Sequence, residues 1–291
     1  MDIFNVDFFQ IIPLGDWISD GADWTVRSLV QNATWFFDGL QQPIRLILGF
    51  LDRSLNALPW PVVVIAMGLI GWFNAGRAVG ILAAVGLMLT GFLGYWVLTM
   101  TTLAMVITAL SVSVLLGIPL GIWASRNDRV DEITRVVLDG MQTIHPFVYL
   151  VPIVMLFGIG QVPGTMATII FSLPPIVRLT NLGIRQVPGE VVEAGRSFGS
   201  NDRQILMDVQ IPLAMPTIMA GLNQTLMLSL SMVVIIALIA GGGLGQEILR
   251  SVGRLDIGRA VNSGLSVLIL AIVLDRISQG RKRVSTREES H

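Results

Sequence analysis

The stretch AVGILAAVGLMLTGFLGYWVLTMTTLAMVITALSVSVLLGIPLGIWAS, residues 78–125, contains no Asp, Glu, Lys or Arg. A transmembrane helix needs about 20 consecutive apolar residues, so this stretch is long enough for two crossings of a bilayer. An ionised side chain at the bilayer centre costs roughly 2.5–3.5 kcal/mol on insertion scales, and charges therefore collect at the ends of spans. The stretch predicts an integral membrane protein.

The rest of the chain segregates its charge in the same way. Four further stretches carry no formal charge, namely residues 54–76, 140–177, 209–246 and 260–274. Over 291 residues the chain is 53% hydrophobic and 13% charged, which exceeds what one soluble core can bury. Divided at Pro and Gly, with a tight turn expected at 161–164, the stretches predict seven spans. They are residues 60–74, 79–96, 103–123, 147–160, 165–179, 214–240 and 261–274. The predicted fold class is all-α integral membrane.

Basic residues in short loops predict the orientation of the spans. Arginines follow spans three, five and seven, which puts these loops and a polar tail at 280–291 in the cytoplasm. The N-terminus is then extracytoplasmic. Arg250, Arg254 and Arg259 fall on the wrong side, and we interpret the glycine-rich residues 241–245 as the start of a bent segment folded into the protein, where these charges meet protein partners.

The N-terminal part of the chain differs from the rest. Residues 1–57 carry seven Asp against three Arg, and residues 26–55 show helical spacing of apolar side chains. We interpret 1–57 as an acidic extracytoplasmic or interfacial region, whose second half is an amphipathic helix on the membrane surface. Residues 58–98 are expected to form two accessory spans, and 99–279 the main membrane domain.

The most informative polar stretch is RQVPGEVVEAGRSFGSNDRQILMDVQIP, residues 185–212, between spans five and six. It predicts two short helices. Pro188 suits a first helical turn, and Gly199 suits the left-handed position that ends a helix. Asn201 with Gln204 forms a possible capping pair for the second helix, which Pro212 is expected to stop. The stretch therefore predicts a helical knuckle on the cytoplasmic face.

This stretch resembles the EAA loop of ABC importer permeases, whose pattern is Glu-Ala-Ala, three residues, Gly, nine residues, Ile, any residue, Leu-Pro. The spacing is intact, with Gly195, Val209 and Ile211 as conservative departures. The resemblance implies a MetI-like transmembrane domain and a coupling helix that docks on an ATPase subunit. The residues it assigns to coupling are Glu193, Ala194, Gly195, Gly199, Val209, Ile211 and Pro212.

The stretches at 141–164 and 211–246 make the resemblance more specific, because they resemble the permeases of glycine betaine/proline betaine importers. This likeness extends over about residues 94–280. The resemblance implies a bacterial inner-membrane complex of two copies of this subunit, a cytoplasmic ABC ATPase that binds ATP and Mg²⁺, and an extracytoplasmic substrate-binding protein. No cofactor is expected in this chain. Choline, trimethylamine N-oxide and dimethylsulfoniopropionate stay open as alternative cargo.

Other classes fit the sequence less well. The phosphate-loop motif requires a Lys, and the only Lys is Lys282 in the tail, so the chain is not expected to hydrolyse ATP. An ion-driven carrier would need carboxylates inside its spans, and an enzyme a catalytic set there. The net charge of −1 and the absence of Cys argue against nucleic acid and thiolate metal sites. In span six, Asn223, Gln224 and Thr225 either bond neighbouring helices or line a path.

Overall fold

The computed structural model describes residues 15–17, 19–21, 24, 25, 28 and 34–288. From residue 34 onward the chain forms helices joined by short turns. We number them α1 to α11 in chain order: Thr34–Ala57, Trp60–Ala75, Arg77–Phe92, Trp96–Arg126, Asp128–Thr143, Pro146–Phe157, Gln161–Arg185, Gly189–Ser197, Asp202–Ile239, Gly243–Gly253 and Ile257–Glu288.

Three long helices form the centre of the bundle, with α7 packed against both α4 and α9. Small residues let the helix backbones approach closely, as is usual between helices in membranes. A Cβ atom added at Gly121 of α4 would lie 2.6 Å from the Thr180 Cβ and 2.8 Å from the Val177 carbonyl oxygen, both on α7. Gly221 of α9 meets the Pro175 carbonyl of α7 in the same manner. The central crossings therefore depend on glycine.

The helices α2, α3 and α11 cover one side of this centre. Gly76, at φ +97°, joins α2 and α3 into a tight hairpin, in which Gly80 lies against the Gly68 carbonyl. Leu87 of α3, Met100 of α4 and Leu270 of α11 are fully buried in a shared apolar cluster. This cluster joins the hairpin to the bundle.

Helix α1 overlaps the segment that was expected to be an amphipathic helix on the membrane surface. The expected segment 26–55 lies partly outside the described residues, and the described helix begins at Thr34. Ile44 and Leu48 are buried against α4 and α7, and the side-chain amide of Gln41 donates a hydrogen bond to the Phe157 carbonyl of α6 at 3.2 Å. α1 therefore packs on the bundle itself, through its apolar face.

Each of the seven predicted spans contains a helix, but spans two and four run past the ends of α3 at Phe92 and of α6 at Phe157. The number of crossings is also lower when helix length is considered. Four helices are long and apolar enough to cross a membrane alone: α4, α7, α9 and the part of α11 at Ile257–Gly280. The pairs α1–α2 and α5–α6 reach this length only together, bent by 112° and 90°, which gives up to six spans. Each bend falls where a proline begins the next helix, with Pro59 as the N-cap of α2 and Pro146 as the first residue of α6.

The turn before α7 lies earlier than the sequence predicts. The left-handed residues are Gly158 at φ +80° and Gly160 at φ +133°. The expected turn residues 161–164 form the first turn of α7 instead, where Pro163 costs nothing because the first N–H groups of a helix have no partner within it.

Candidate functional site

The knuckle between α7 and α9 begins with α8, a helix of nine residues. Pro188 precedes it as the N-cap rather than occupying the first turn. After Ser197, Gly199 adopts φ +82°, as predicted. The Ser200 N–H donates to the Gly195 carbonyl at 3.1 Å, and the Gly199 N–H donates to the Arg196 carbonyl at 2.9 Å. This pair of bonds is the Schellman motif, which satisfies the last carbonyls of α8 and fixes the direction of the chain after it.

The predicted capping pair is also present. Asn201 Oδ1 accepts hydrogen bonds from the backbone N–H groups of Arg203 and Gln204, and Gln204 Oε1 accepts from the Asn201 N–H at 2.9 Å. This capping box starts α9 immediately after the turn. The knuckle therefore has one defined geometry, set by Gly199 on one side and Asn201 on the other.

The prediction of a second short helix is wrong, because the helix does not end at Pro212. Residues Ile205–Gln210 form a π-helical segment, and the Ile211 N–H donates to the Leu206 carbonyl five residues back. A proline removes one backbone donor and displaces the carbonyl four residues before it, and a π segment absorbs both changes. The helix therefore continues through Pro212 as α9, 38 residues long, from the knuckle into the bundle.

The predicted coupling residues divide into two groups. Glu193, Ala194 and Gly199 are exposed on α8 and its turn, whereas Gly195, Val209 and Ile211 are partly buried. Ile211 packs on an apolar cluster with Ile176, and Pro212 is exposed. The first group forms an outer surface, and most of the second attaches that surface to the bundle.

Phe198 was not among the predicted coupling residues, yet it dominates the outer surface. Its side chain is 90% exposed at the end of α8, where no residue of this helix is buried by the rest of the chain. An aromatic residue directly before the left-handed glycine in a polar loop was the available sequence signal. α8 is amphipathic, and the described part of the chain leaves its apolar residues Val191 and Ala194 exposed and Val192 partly exposed.

Charged contacts tie the knuckle to α4. The Arg126 guanidinium donates to the Asp202 carbonyl at 2.8 Å, and Arg196 lies 3.3 Å from the Asp202 carboxylate. These exposed pairs contribute little to stability individually. They nevertheless set the position of the knuckle relative to the end of α4.

A second group of contacts joins α7 to α4 and α5. The Arg185 guanidinium donates to the Asp128 carboxylate at 2.8 Å and to the Ala124 carbonyl at 2.9 Å. The Asn181 amide donates to Asp131 at 2.6 Å, and Arg178 pairs with Asp139. The ends of α4 and α7 that flank the knuckle are therefore held in one charged layer.

The three candidate path residues point in different directions. The Ser278 hydroxyl of α11 donates to Asn223, which makes Asn223 a contact between helices. Thr225 is fully buried, and its hydroxyl has no hydrogen-bond partner among the described residues. Gln224 is exposed on the outward face of α9, and no described residue binds its amide. The structure does not bring the three side chains together.

The predicted bent segment at 241–245 is present. The expectation that it brings the nearby arginines to partners within the protein is only partly right. Gly242 and Gly243 have φ of +80° and +64°, and the Leu244 N–H donates to the buried Thr102 hydroxyl of α4 at 2.9 Å. α10 thus folds into the protein by its first turn. Towards its end α10 points outward, so Arg250 and Arg254 are exposed. Among the described residues neither has an acidic partner within 4 Å, whereas Arg259 pairs with Asp256.

Comparisons with known proteins agree with this architecture. A family model described as "Binding-protein-dependent transport system inner membrane component" matches residues 117–279. The glycine betaine/proline betaine transport system permease protein ProW of Escherichia coli (strain K12) is 51% identical over 97% of this chain and 80% of its own length. The glycine betaine transport system permease protein OpuAB of Bacillus subtilis (strain 168) is 41% identical over 95% of this chain and 97% of its own length.

A relative named for a different substrate is more distant. The trimethylamine N-oxide transport system permease protein TmoV of Pelagibacter ubique (strain HTCC1062) is 36% identical over 92% of this chain and 40% of its own length. Among solved structures, the MetNI methionine ABC transporter in an inward-facing conformation matches with a TM-score of 0.53 and 22% identity. The match covers 63% of this chain and 90% of that one, and at this identity it shows the fold alone.

The fold is thus that of the membrane domain of an ABC transporter, with several apolar helices and no strand in the described part of the chain. The chain belongs to the family of binding-protein-dependent transport system inner membrane components. It is a transport subunit and a multi-pass membrane protein.

Proposed function

We propose that this chain is the permease subunit of an ATP-driven importer that carries glycine betaine, proline betaine or a related methylated amine across the inner membrane. The glycine betaine permeases at 51% and 41% identity support this cargo over trimethylamine N-oxide, whose permease is 36% identical. The working complex contains two copies of this chain, a cytoplasmic ABC ATPase that binds ATP and Mg²⁺, and an extracytoplasmic binding protein. The N-terminus is extracytoplasmic and the C-terminus cytoplasmic.

The exposure of helix α8 is the main support for the proposed coupling role. A helix of nine residues is too short to be stable alone, and the described chain buries none of the residues of α8 fully. Phe198, 90% exposed beside it, is the kind of aromatic anchor that fills a pocket on a partner protein. We therefore assign α8 and Phe198 to the surface that contacts the ATPase.

The continuity of α9 supports a mechanical route into the membrane. The capping box places the first residue of α9 directly after the turn at Gly199, and the helix runs on to Ile239. A displacement of α8 by closure of the ATPase dimer would thus move one long helix and, through Arg126 and Asp202, the end of α4. ATP binding opens the path outward to receive cargo, and hydrolysis resets it. Cargo choice lies in the binding protein, where aromatic rings recognise a methylated cation.

Uptake of labelled glycine betaine into vesicles tests the proposed function. The vesicles contain this chain with its ATPase and binding protein, and are prepared with internal ATP, with ADP, or with an imposed ion gradient instead of ATP. Uptake that requires ATP supports the importer. Uptake driven by the gradient alone contradicts it, and uptake of labelled choline or trimethylamine N-oxide in place of glycine betaine rejects the cargo while keeping the transport class.

Replacement of Phe198 by Ala tests the ATPase contact. Because Phe198 is almost fully exposed, the variant is expected to keep its thermal unfolding midpoint, but to bind the ATPase about tenfold or more weakly. Binding is measured by titration of labelled ATPase onto the chain in nanodiscs. Phe92→Ala is the matched control, because Phe92 is 82% exposed at the end of α3. Equal ATPase affinity of the two variants would contradict the assignment of Phe198.

A further inference from the structure

The turn between α10 and α11, residues 254–257, presents an apolar side chain that the rest of the described chain does not cover, and we call it the outer turn. Leu255 is 86% exposed there. Among the large apolar side chains of the described residues, only Phe198 is more exposed. Leu255 therefore buries little apolar surface within the chain, and its side chain contributes little to folding.

The backbone of the outer turn has the same geometry as the turn after α8. The Asp256 N–H donates to the Ser251 carbonyl at 2.9 Å. The Leu255 N–H donates to the Val252 carbonyl at 3.1 Å, which completes a second Schellman motif. Its left-handed residue is Leu255, at φ +55°, whereas the turn after α8 has Gly199 there. Because a side chain in this conformation crowds the next carbonyl, the leucine lowers stability, and its exposed side chain does not recover that loss.

The other side of the outer turn is fixed as well. Asp256 Oδ1 accepts a hydrogen bond from the Arg259 N–H at 3.1 Å, and the Asp256 carbonyl accepts one from the Ala260 N–H at 3.0 Å. These bonds cap the first turn of α11. Leu255 is thus held between two capped helix ends, so little conformational entropy is lost when a partner binds it.

The charge around the outer turn is unbalanced. The Asp256 carboxylate lies 3.3 Å from the Arg259 guanidinium. Exposed Arg250 and Arg254 have no carboxylate within 4 Å among the described residues, and Glu247 is the second acid that lines the same depression. Three guanidinium groups therefore accompany two carboxylates. An apolar centre with a positive rim is complementary to an apolar pocket with an acidic rim.

The outer turn lies on the side of the membrane opposite to the knuckle. α9 starts at the knuckle and is 38 residues long. At 1.5 Å per residue it spans roughly 55 Å, more than the thickness of a bilayer. α10 follows α9, and its first turn is bonded to Thr102 near the start of α4, whereas the end of α4 contacts the knuckle through Arg126.

The apolar residues of α11 that face lipid are distinct from Leu255. They recur at intervals of three or four residues within the apolar part of the helix, Ile257–Gly280, namely Val261, Leu265, Leu268 and Ile272. Leu255 precedes this part and stands between Arg254 and Asp256 in the chain. Both charges are costly to transfer into hydrocarbon, so the outer turn is suited to a protein partner rather than to insertion into the bilayer.

We propose that the outer turn is the docking point of the extracytoplasmic binding protein, with Leu255 seated in an apolar pocket and with Arg250 and Arg254 facing acidic residues around it. This partner rests on the proposed function. The surface itself rests on the exposure of Leu255, its fixed backbone and the surplus of positive charge. Phe198 and Leu255 then contact the two different partners on the two sides of the membrane.

Titration of labelled binding protein, loaded with glycine betaine, onto the complete complex in nanodiscs tests the role of Leu255. Leu255→Asn is expected to weaken binding about tenfold or more. Its thermal midpoint is expected to stay equal or to rise, because Asn tolerates the left-handed conformation. Leu268→Ala, whose leucine is 53% exposed on α11, is the control and is expected to bind normally. Equal affinity of the two variants would overturn the docking point.

The charged rim is tested by the association rate at several salt concentrations. The double variant Arg250→Gln with Arg254→Gln is expected to associate several-fold more slowly at low salt, and with a weaker dependence on salt, because the charges steer the encounter. Arg276→Gln, with its exposed arginine at the other end of α11, is the control. A salt dependence equal to that of the control would contradict an acidic partner surface.

A spin label beside the outer turn distinguishes docking from insertion into the bilayer. Gly253→Cys places it there without a clash, and the chain has no other cysteine. Access of a water-soluble relaxation agent that the binding protein blocks supports docking, whereas access of lipid-dissolved oxygen alone overturns it. ATP-dependent uptake is scored on the same preparations. Intact uptake with a label that stays open to water rejects only the docking point, and a native complex that neither binds the protein nor imports rejects the importer as well.

Discussion

At the scale of single residues, the two glycines of the knuckle have different reasons to be glycine. Gly199 has open space around its α-carbon, but its φ of +82° is a conformation that other residues avoid. Gly195 is an ordinary helical residue, and a Cβ atom there would lie 3.6 Å from Ile205 Cγ1, a normal contact distance. The family pattern has Ala at this second position, and the geometry accommodates it.

Gly195→Ala and Gly199→Ala are therefore expected to act in opposite directions. The first gains helix propensity, up to about 1 kcal/mol. The second loses about 1 kcal/mol to the left-handed conformation. Thermal unfolding midpoints, followed by circular dichroism in detergent, measure both changes in stability.

The association of the same knuckle with the ATPase is a separate prediction. We expect Gly195→Ala to associate with the ATPase normally and Gly199→Val to insert into the membrane without associating. Loss of insertion in Gly199→Val would mean that the loop is needed for folding instead.

At the scale of helices, the crossing of α4 and α7 fixes the core of the bundle. Apolar side chains lie on both sides of a membrane helix, so hydrophobicity alone gives no preference for one neighbour. Close backbone approach supplies that preference. In α4 it is provided by Gly117 and Gly121, one turn apart on the face that meets Ile176, Val177 and Thr180 of α7.

Gly121→Ala is expected to destabilise this crossing by about 1–3 kcal/mol, because the new methyl group would overlap Thr180 and the Val177 carbonyl. The control is Gly264→Ala in the first third of α11, where an added Cβ atom meets nothing within 4 Å. Thermal midpoints in the same detergent are compared. A thermal midpoint for Gly121→Ala as high as that of the control would contradict this, because it would show that α4 and α7 accommodate the methyl group without loss of stability.

At the scale of the whole molecule, one face of α9 has no covering within the described chain. It runs through Ala220, Gln224, Ser231 and Leu238, at intervals of four, seven and seven residues, and the last three of these residues are exposed. Ser231 satisfies its hydroxyl on the Met227 carbonyl, but the Gln224 amide has no partner among the described residues. An amide in hydrocarbon without a hydrogen bond costs several kcal/mol. This face is therefore expected to meet the second copy of the chain, with Gln224 beside the path.

Cysteine cross-linking tests this arrangement without background, because the chain contains no cysteine. Gln224→Cys is expected to form a disulfide-linked dimer upon oxidation in membranes, and cargo with ATP is expected to change the yield. Leu268→Cys, on an exposed part of α11, is the control for random collision. A higher dimer yield at position 268 than at 224 would place the contact between copies on another helix.

The sequence by itself determined the membrane environment, the helical segments and the local geometry of the knuckle. These features depend on charge placement, on a glycine such as Gly199 and on a capping pair such as Asn201 and Gln204, all of which act over a few neighbouring residues. The resemblance of the knuckle to the family pattern was also visible in the sequence, because the motif residues are close together in the chain.

Only the tertiary structure decided the rest, because it depends on contacts between residues far apart in the chain. The sequence could not show that α9 continues through Pro212, because the π segment that permits it is held by the packing of Ile205 and Leu206 in the bundle. Nor could it distinguish Gln224 from its neighbours, because adjacent residues on a helix point about 100° apart and only the packed partners reveal which direction is outward. The exposure of Leu255 emerged for the same reason: exposure is a property of the assembled helices.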